Sequence, residues 1–246
     1  MKKYLFIFIF PLFISCNEEN TVSEIPSISF EKMIFKKSEN NFVQDSLILT
    51  INFIDGNGDL GLSNEENSYP YHQYNAIIDE NFNWITYGSN DVNPPLYIYE
   101  PNGSISFYSN EDNRNPFNCN DYIIDTINSS SDLDTFYIQK NINNKNIYIE
   151  FYKKNENKFE LIDWTRVFDE EYGCGIDFNS RFPPLNVTNT NQILQGKLRY
   201  GMVSYGFESV IQNDIFKLKI QIKDRALNSS NSIETPEVTL QQIKEN

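Results

Sequence analysis

The chain has 246 residues, with 34 acidic and 20 basic side chains and a formal net charge of −14 at pH 7. A balance this acidic argues against nucleic acid and anionic membrane surfaces as ligands of the folded body, and it favours the uptake of cations. After residue 14 no stretch is apolar enough to cross a bilayer, which takes about 20 residues.

The N-terminus has the pattern of a bacterial lipoprotein signal. Two lysines precede an apolar run over residues 4–14, which matches the roughly 7–15 residues of a signal-peptide core. The run ends in Phe-Ile-Ser-Cys, similar to a lipobox with Cys16 as the acylated residue. An ordinary cleaved signal with a chance cysteine is the alternative. We expect residues 1–15 to be removed, residues 16–25 to form a polar tether and residues 26–246 to form the folded domain.

The residues after Cys16 indicate where in the cell envelope the protein is located. Residues 17–20, Asn-Glu-Glu-Asn, resemble the acidic tract that follows the lipidated cysteine in surface-exported lipoproteins of Bacteroidota. Each buried CH₂ of an acyl chain contributes roughly 0.8 kcal/mol to membrane attachment. We therefore predict an outer-membrane lipoprotein exposed at the cell surface, with a periplasm-facing position as the alternative.

From Ile28 onward apolar residues recur with a period of two, which is typical of β-strands with one buried face. The alternation is clearest over residues 47–53 and in a hairpin at 146–164, and further strands are predicted at 198–205, 215–223 and 232–240. No run of ten residues has a helical period. The pattern predicts an all-β fold, an Ig-like antiparallel β-sandwich. One elaborated unit is expected, and two packed Ig-like modules are the alternative.

Two segments share one skeleton. Residues 45–55 and residues 214–224 each begin with an aspartate, carry four apolar residues at alternate positions and end with a second aspartate. Each then opens a polar loop, at residues 56–61 and 225–231. Equivalent strands would deliver both loops to one end of a sandwich. Two similar modules, or coincidence, are the alternatives.

The first of these loops has the ligand pattern of a calcium site. Oxygen-bearing side chains alternate with glycines, so that a tight turn points several ligands at one centre. The predicted set is Asp55, Asn57, Asp59, the backbone near Gly61, and Glu66 at the twelfth position of an EF-hand count. The EF-hand fold itself is rejected, since the sixth position is not glycine and a strand leads into the loop. A glycine-rich turn whose side chains bind their own backbone is the alternative.

The second loop is polar as well. Asp224, Asn228 and Asn231 are candidates for the same ion site or for a second one. A turn rich in Asp and Asn between the last two strands is the favoured interpretation.

Two cysteines remain once Cys16 carries lipid. In an oxidising envelope Cys119 and Cys174 most simply form a disulfide. Two free buried thiols are the alternative.

A resemblance to a known family rests on two segments. Residues 47–62, LILTINFIDGNGDLGL, and residues 218–235, LKIQIKDRALNSSNSIET, are similar to the two ends of an uncharacterised family of Bacteroidota surface or outer-membrane lipoproteins. That family has a DGDGDIG-like loop near its start and a C-terminal DRAxNxSN-like turn. The resemblance implies an anchored Ig-like β-sandwich, and it brings no activity with it.

No catalytic constellation is visible. The sole histidine is His72, and the chain has no GxSxG elbow, phosphate-binding loop or HExxH motif. Tyr71, Tyr74 and Trp84 belong to an aromatic region rich in Asn and Pro, which suits sugar rings, although such rings also fill cores.

These features predict a membrane-anchored, calcium-stabilised module that binds a glycan, a peptide or a partner protein, and that is not an enzyme. A structural or accessory subunit of an envelope complex without a ligand of its own is the alternative. A glycosidase using two carboxylates is a remote one.

Overall fold

A computed structural model of the protein describes residues 22–40, 42–126, 132–185 and 192–245. The signal segment and Cys16 lie outside these ranges. Among the helices that are described, none has the length and apolar character needed to cross a membrane.

The regular secondary structure of the described chain is almost entirely β-strand, which confirms the predicted all-β class. It also contains one short α-helix, α1, at Phe207–Ile211, and two single-turn 3₁₀ helices at Ile142–Asn144 and Gln241–Ile243. The strands are β1 Ser27–Lys36, β2 Asp45–Asp55, β3 Tyr74–Ile78, β4 Leu96–Tyr99, β5 Ile105–Ser109, β6 Tyr122–Thr126, β7 Leu133–Lys140, β8 Ile147–Asn155, β9 Lys158–Leu161, β10 Leu194–Ser204, β11 Phe216–Ile222 and β12 Ile233–Glu234.

Two of the antiparallel sheets form a sandwich. One has the order β1-β2-β10 and the other the order β12-β11-β8-β9, and residues from both build one hydrophobic core. The predicted alternation explains the packing. In β8 and β11, for example, Ile149 pairs with Ile220 and Phe151 pairs with Leu218, and all four are buried. The sandwich therefore forms because alternate side chains of each strand share one apolar face.

An aromatic cluster closes one side of this core. The rings of Phe151 and Trp164 meet edge-on at 5.2 Å, and Phe207 stacks on Phe178 at 5.4 Å. Phe207 and Ile211 are both fully buried, so α1 presents its two apolar side chains to the core. The sequence did not predict this helix, since five residues are too few to establish a helical period.

A third antiparallel sheet is inserted between β2 and β8, with the order β5-β4-β3-β7-β6. It has a small core of its own, formed by Ile77, Ile85, Leu96, Tyr122 and Tyr137. The sequence showed only a strand-like rhythm in this region. Four of these strands are only four or five residues long and are separated by polar loops, so little alternation was available to identify them.

Two strand predictions in the C-terminal half of the chain had different outcomes. The hairpin is confirmed, because β8 and β9 pair from Tyr152↔Leu161 to Asn155↔Lys158. The predicted strand over 232–240 is interrupted in the structure. β12 pairs with β11 at Ile233 and Glu234, and a separate bridge joins Val238 to Phe216. Pro236 lies between the two and has no N–H to donate to the ladder.

The predicted disulfide is also confirmed. Cys119 and Cys174 are bonded, with their Cα atoms 5.0 Å apart. The N–H of Cys119 donates to the carbonyl of Tyr172 at 2.9 Å. Cys119 precedes β6 of the inserted sheet, and Cys174 lies between Trp164 and Phe178 of the sandwich core. The bond thus ties the third sheet to the sandwich.

Candidate metal centre

The two polar loops meet at one end of the sandwich, as equivalent strands predict. Asp55 is the last residue of β2, and Asp224 lies two residues beyond the end of β11 in the opposite sheet. The N–H of Arg225 donates to the carbonyl of Asp59 at 3.3 Å. The loops are therefore in direct contact, although they are far apart in the sequence.

Three carboxylates converge where the loops meet. Asp55, Asp59 and Asp224 each place one oxygen within 4.8 Å of the others. Asp55 and Asp224 are buried, and Asp59 is half-buried. Two oxygens that each lie about 2.3–2.6 Å from one calcium ion are separated by at most about 5 Å. The three oxygens are thus close enough to share a single ion.

Two of the carboxylate oxygens have no protein partner. Oδ1 of Asp55 and Oδ1 of Asp59 are both buried and accept no hydrogen bond. The other oxygen of Asp55, Oδ2, accepts the N–H of Asp59 at 3.0 Å. A buried acceptor without a partner costs about 1–3 kcal/mol, more when it is charged. A cation between the loops would satisfy both oxygens at once.

The raised pKa values of the three carboxyl groups also favour a bound cation. Burial, and then the charge of Asp59, raise the pKa of Asp55 to about 6. Burial, together with the charge of Asp224, raises the pKa of Asp59, and burial raises that of Asp224. Without an ion these carboxylates repel one another in a partly dry site. A bound divalent ion would reverse that effect and hold all three ionised.

Asn57 and Gly61 shape the first loop. Oδ1 of Asn57 accepts the N–H of Asp59 at 3.3 Å, which matches the backbone-binding role that was the alternative to a ligand. Gly61 has φ +110°, and a Cβ there would lie 2.3 Å from the carbonyl oxygen of Pro183. Glycine is required at this position because the loop passes directly against Pro183.

Glu66 does not join the cluster. Its carboxylate binds both terminal nitrogens of the Arg225 guanidinium, with Oε2 2.8 Å from Nη1. Oε2 also accepts the N–H of Ser63 at 2.8 Å. The EF-hand count assigned the twelfth position to a ligand, whereas here the second loop supplies an arginine that takes both oxygens. Asp224 provides the third carboxylate in its place.

In the second loop Asp224 has two roles. Its Oδ1 accepts the N–H of Asn228 at 2.7 Å, and its Oδ2 accepts the side-chain amide of Asn228 at 2.8 Å. The turn predicted for this loop is therefore compatible with an ion site that Asp224 would share with Asp55 and Asp59. Asn231 lies elsewhere, since its amide accepts the N–H of Ile28 at 2.8 Å and donates to the carbonyl of Ile28 at 2.9 Å. It fastens the first strand.

No known protein family, curated protein or solved structure matches the chain.

Sequence analysis did not single out Arg181, which organises the surroundings of the site. Its guanidinium donates to the carbonyls of Ser63, Glu66, Tyr71 and Asn144, at 2.5–2.9 Å. These carbonyls come from separate segments, and burial lowers the pKa of the arginine. An arginine that binds only backbone atoms leaves no pairing pattern in the sequence.

The three aromatic residues singled out from the sequence do not form one surface. Tyr71 lies beside the carboxylate cluster, because its hydroxyl donates to the carbonyl of Arg225 at 2.6 Å. Tyr74 and Trp84 line a separate groove on the inserted sheet. His72 is buried between amides, with Nε2 2.5 Å from Oδ1 of Asn75.

Proposed function

We propose that this protein is a lipid-anchored module of the outer-membrane surface whose Ig-like sandwich is stabilised by a calcium ion and serves to bind a ligand or partner. The observation that carries the calcium assignment is the fully buried Asp55, whose free Oδ1 lies in a cluster with Asp59 and Asp224. Arg225 and Lys223 compensate Asp59 and Asp224 only in part, since the pKa of all three carboxyl groups is still raised.

Calcium fits this donor set better than other biological cations. The cluster offers only oxygen, and neither histidine nor cysteine is part of it, which argues against zinc and copper. Magnesium demands near-ideal octahedral geometry and retains several waters, whereas calcium accepts about six to eight oxygens in irregular arrangements. Loops from two different sheets supply such an irregular set.

The Ig-like and lipoprotein parts of the proposal rest on topology and on the leader. The first, second and fifth strands of the sandwich form one sheet, and the third, sixth and seventh lie together in the other, as in Ig-type sandwiches. The fourth strand, β9, departs from the constant-type order, because it pairs with the third strand and not with the first sheet. The described chain begins beside the metal centre, where the carbonyl of Ser23 accepts the N–H of Gly56 at 2.9 Å. The proposed tether would therefore enter the fold at the ion-binding end.

Thermal unfolding with calcium and with chelator tests the ion site. At a calcium concentration 100 times Kd, a bound ion stabilises the fold by about 2.7 kcal/mol. We expect that shift in the wild type and its loss in Asp55→Asn and Asp224→Asn. Asp45→Asn is the matched control, because Asp45 lies at the opposite end of β2, where its Oδ1 accepts the N–H of Ser38 at 2.9 Å. Superimposable wild-type curves with calcium and chelator would refute the site.

An accessory subunit of an envelope complex is the second candidate function. A groove of about 530 Å³ beside the aromatic cluster is lined by exposed apolar side chains, among them Phe168, Ile176 and Tyr205. Exposed apolar surface of this kind marks contact sites for other proteins. Crosslinking on intact cells tests the candidate. A stoichiometric envelope partner whose crosslinks disappear in Ile176→Lys would support it, and an unchanged crosslinking pattern would count against it.

A further inference from the structure

A groove of about 580 Å³ lies on the inserted sheet, away from the metal centre. Its volume falls in the range of ligand pockets, about 300–1,000 Å³. It combines aromatic rings with carboxylate, amide and hydroxyl groups. The lining residues used below are Tyr74, Phe82, Asn83, Trp84, Asp125 and Asp134, above a floor that includes Phe136.

Alternation along β6 and β7 creates this surface. Tyr122 pairs with Tyr137 and both belong to the small core of the sheet. The neighbouring pair, Ile123 and Phe136, lines the groove on the other face. Because side chains alternate along a strand, the carboxylate-bearing pair two residues further on shares the groove face.

Two aromatic side chains remain exposed in the groove. Trp84 is 52 % exposed and meets the ring of Phe136 edge-on, with centroids 5.6 Å apart. Phe82 is 65 % exposed. Large apolar side chains held together at a surface indicate a contact site more often than an isolated one does.

The backbone at Phe82 strengthens this argument. Its φ is +63°, in the left-handed region that favours glycine or asparagine. The turn is firmly built, since Oδ1 of Asp79 accepts the N–H groups of Asn81 and Asn83, both at 2.9 Å. The turn thus places a strained and exposed phenylalanine beside Trp84. Neither packing nor backbone preference explains that residue, whereas contact with a ligand does.

Two carboxylates lie side by side on adjacent strands that line the groove. Asp125 on β6 is paired directly with Asp134 on β7. Like charges directly opposite one another destabilise a sheet, so this pair is not there for stability. The hydroxyl of Tyr74 donates to Oδ2 of Asp125 at 2.9 Å. The N–H of Thr126 and that hydroxyl lower the pKa of Asp125, which keeps it ionised as an acceptor.

We propose that this groove binds a neutral saccharide. The faces of Trp84 and Phe82 would cover the C–H surface of a pyranose ring, because the negative face of an aromatic ring attracts polarised C–H groups. Sugar hydroxyls would donate hydrogen bonds to Asp125 and Asp134, because an ionised carboxylate accepts hydrogen bonds and donates none. Asn83 adds an amide that both donates and accepts.

Charge selects against other ligands of similar shape. Uronates, sulfated sugars and nucleotides bring negative charge toward two aspartates on a chain of net charge −14.

This inference rests on the proposed role as a binding module but not on the calcium ion. It is tested with the full chain by fluorescence. The chain has two tryptophans, of which Trp84 is exposed and Trp164 is buried. Acrylamide quenches the emission of an exposed tryptophan. Saturable protection of the emission by a ligand therefore reports on binding at Trp84. The probes are neutral hexasaccharides of glucose, xylose, mannose and galactose, with a galacturonate hexasaccharide for comparison.

We expect at least one neutral probe to shield Trp84 saturably, and the galacturonate to bind at least tenfold more weakly. By calorimetry, Trp84→Ala and Asp134→Asn should each weaken that binding at least tenfold. Phe107→Ala is the matched control, since Phe107 is an exposed aromatic residue on β5 of the same sheet and does not line the groove. It should leave the affinity unchanged.

The inference is overturned if no neutral probe binds, if Trp84→Ala binds as tightly as the wild type, or if galacturonate binds as tightly as the neutral sugars. The calcium-induced rise in melting temperature is measured on the same samples. Absent sugar binding with a retained calcium response overturns the groove alone. Sugar binding without a calcium response overturns the ion site alone. A variant that shows neither sugar binding nor a calcium response has lost its fold. If this happens to Trp84→Ala, the affinity of Asp134→Asn for the sugar decides the question.

Discussion

The N–H of Arg225 donates to the carbonyl of Asp59, and this bond joins the loop after β2 to the loop after β11. Arg225 also binds the carboxylate of Glu66, and its carbonyl accepts the hydroxyl of Tyr71. Arg225 thus contacts Asp59, Glu66 and Tyr71. These three residues belong to the segment that follows β2, and the contacts hold them beside the carboxylate cluster. The cluster is a product of this contact, since Asp224 reaches Asp55 only when the loops are docked.

The first prediction concerns the pH dependence of the calcium-free protein. The pKa of Asp55 is raised from 3.8 to about 6, so the folded state binds this proton more tightly than the unfolded state does. Its contribution to the free energy of unfolding is therefore complete below about pH 4 and is lost as the pH rises through 6. In chelator, we expect Asp55→Asn to be stabilised relative to the wild type at pH 7 and to lose most of that advantage at pH 4.5.

Denaturant titrations of both proteins between pH 4.5 and 7.5 measure this difference. Other carboxyl groups titrate in the same range, and the comparison with Asp55→Asn removes their contribution. Calcium should abolish the advantage of the variant at pH 7, since the ion compensates the ionised carboxylate. A difference between the two proteins that does not change with pH would show that Asp55 titrates normally.

The second prediction separates a supporting residue from a ligand. Glu66→Gln removes the charged, bidentate contact with Arg225, and we expect a loss of about 1 kcal/mol in the free energy of unfolding. The calcium-induced shift should shrink but persist, because Glu66 is outside the carboxylate cluster. Arg225 holds the pKa of Glu66 below its ordinary value, so the wild-type advantage should be complete above about pH 4.5 and should be lost as the pH falls from there through the lower pKa of the folded state.

Calorimetric calcium titration of Glu66→Gln checks this expectation, with Asp59→Asn as the comparison. If Glu66→Gln abolishes calcium binding as fully as Asp59→Asn does, then Glu66 is a ligand and its pairing with Arg225 gives way when the ion binds.

Much of the sandwich was predictable because each strand carries its own signal. In β11 the residues Phe216, Leu218, Ile220 and Ile222 are all buried, and the lysines and glutamine between them are half-buried. Period two is therefore visible without knowing the partner strand. The inserted sheet was not predictable in this way. In β5, Ile105 and Phe107 are exposed together with the serine between them, so no burial pattern accompanies that strand.

The carboxylate cluster was predictable in part for a related reason. Asp55 and Asp224 follow the same strand skeleton, and that likeness is local to the sequence. Glu66 was placed by counting along one loop, which presumes that the loop closes on its own ion. The contact between Arg225 and Asp59 instead brings a carboxylate from the other sheet, and no spacing within either loop records it.

The third prediction concerns the disulfide between Cys119 and Cys174, which are separated by 55 residues. Removing it with Cys119→Ala plus Cys174→Ala should lower the free energy of unfolding by about 2–4 kcal/mol, through the extra freedom of the unfolded chain. Denaturant unfolding of the double variant measures this loss. Non-reducing peptide mapping of the wild type is the control, and free thiols at both positions would contradict the bond.

The fourth prediction concerns α1. Phe207 is fully buried, and its ring packs against those of Phe151, Trp164 and Phe178. Phe207→Ala would leave a cavity where these rings meet, so we expect a loss of about 3–5 kcal/mol. Phe107→Ala removes a ring that is 57 % exposed and should change stability by less than about 0.5 kcal/mol. Urea unfolding of both variants measures the two losses. Equal midpoints would show that α1 frays from the core and that the aromatic cluster closes without it.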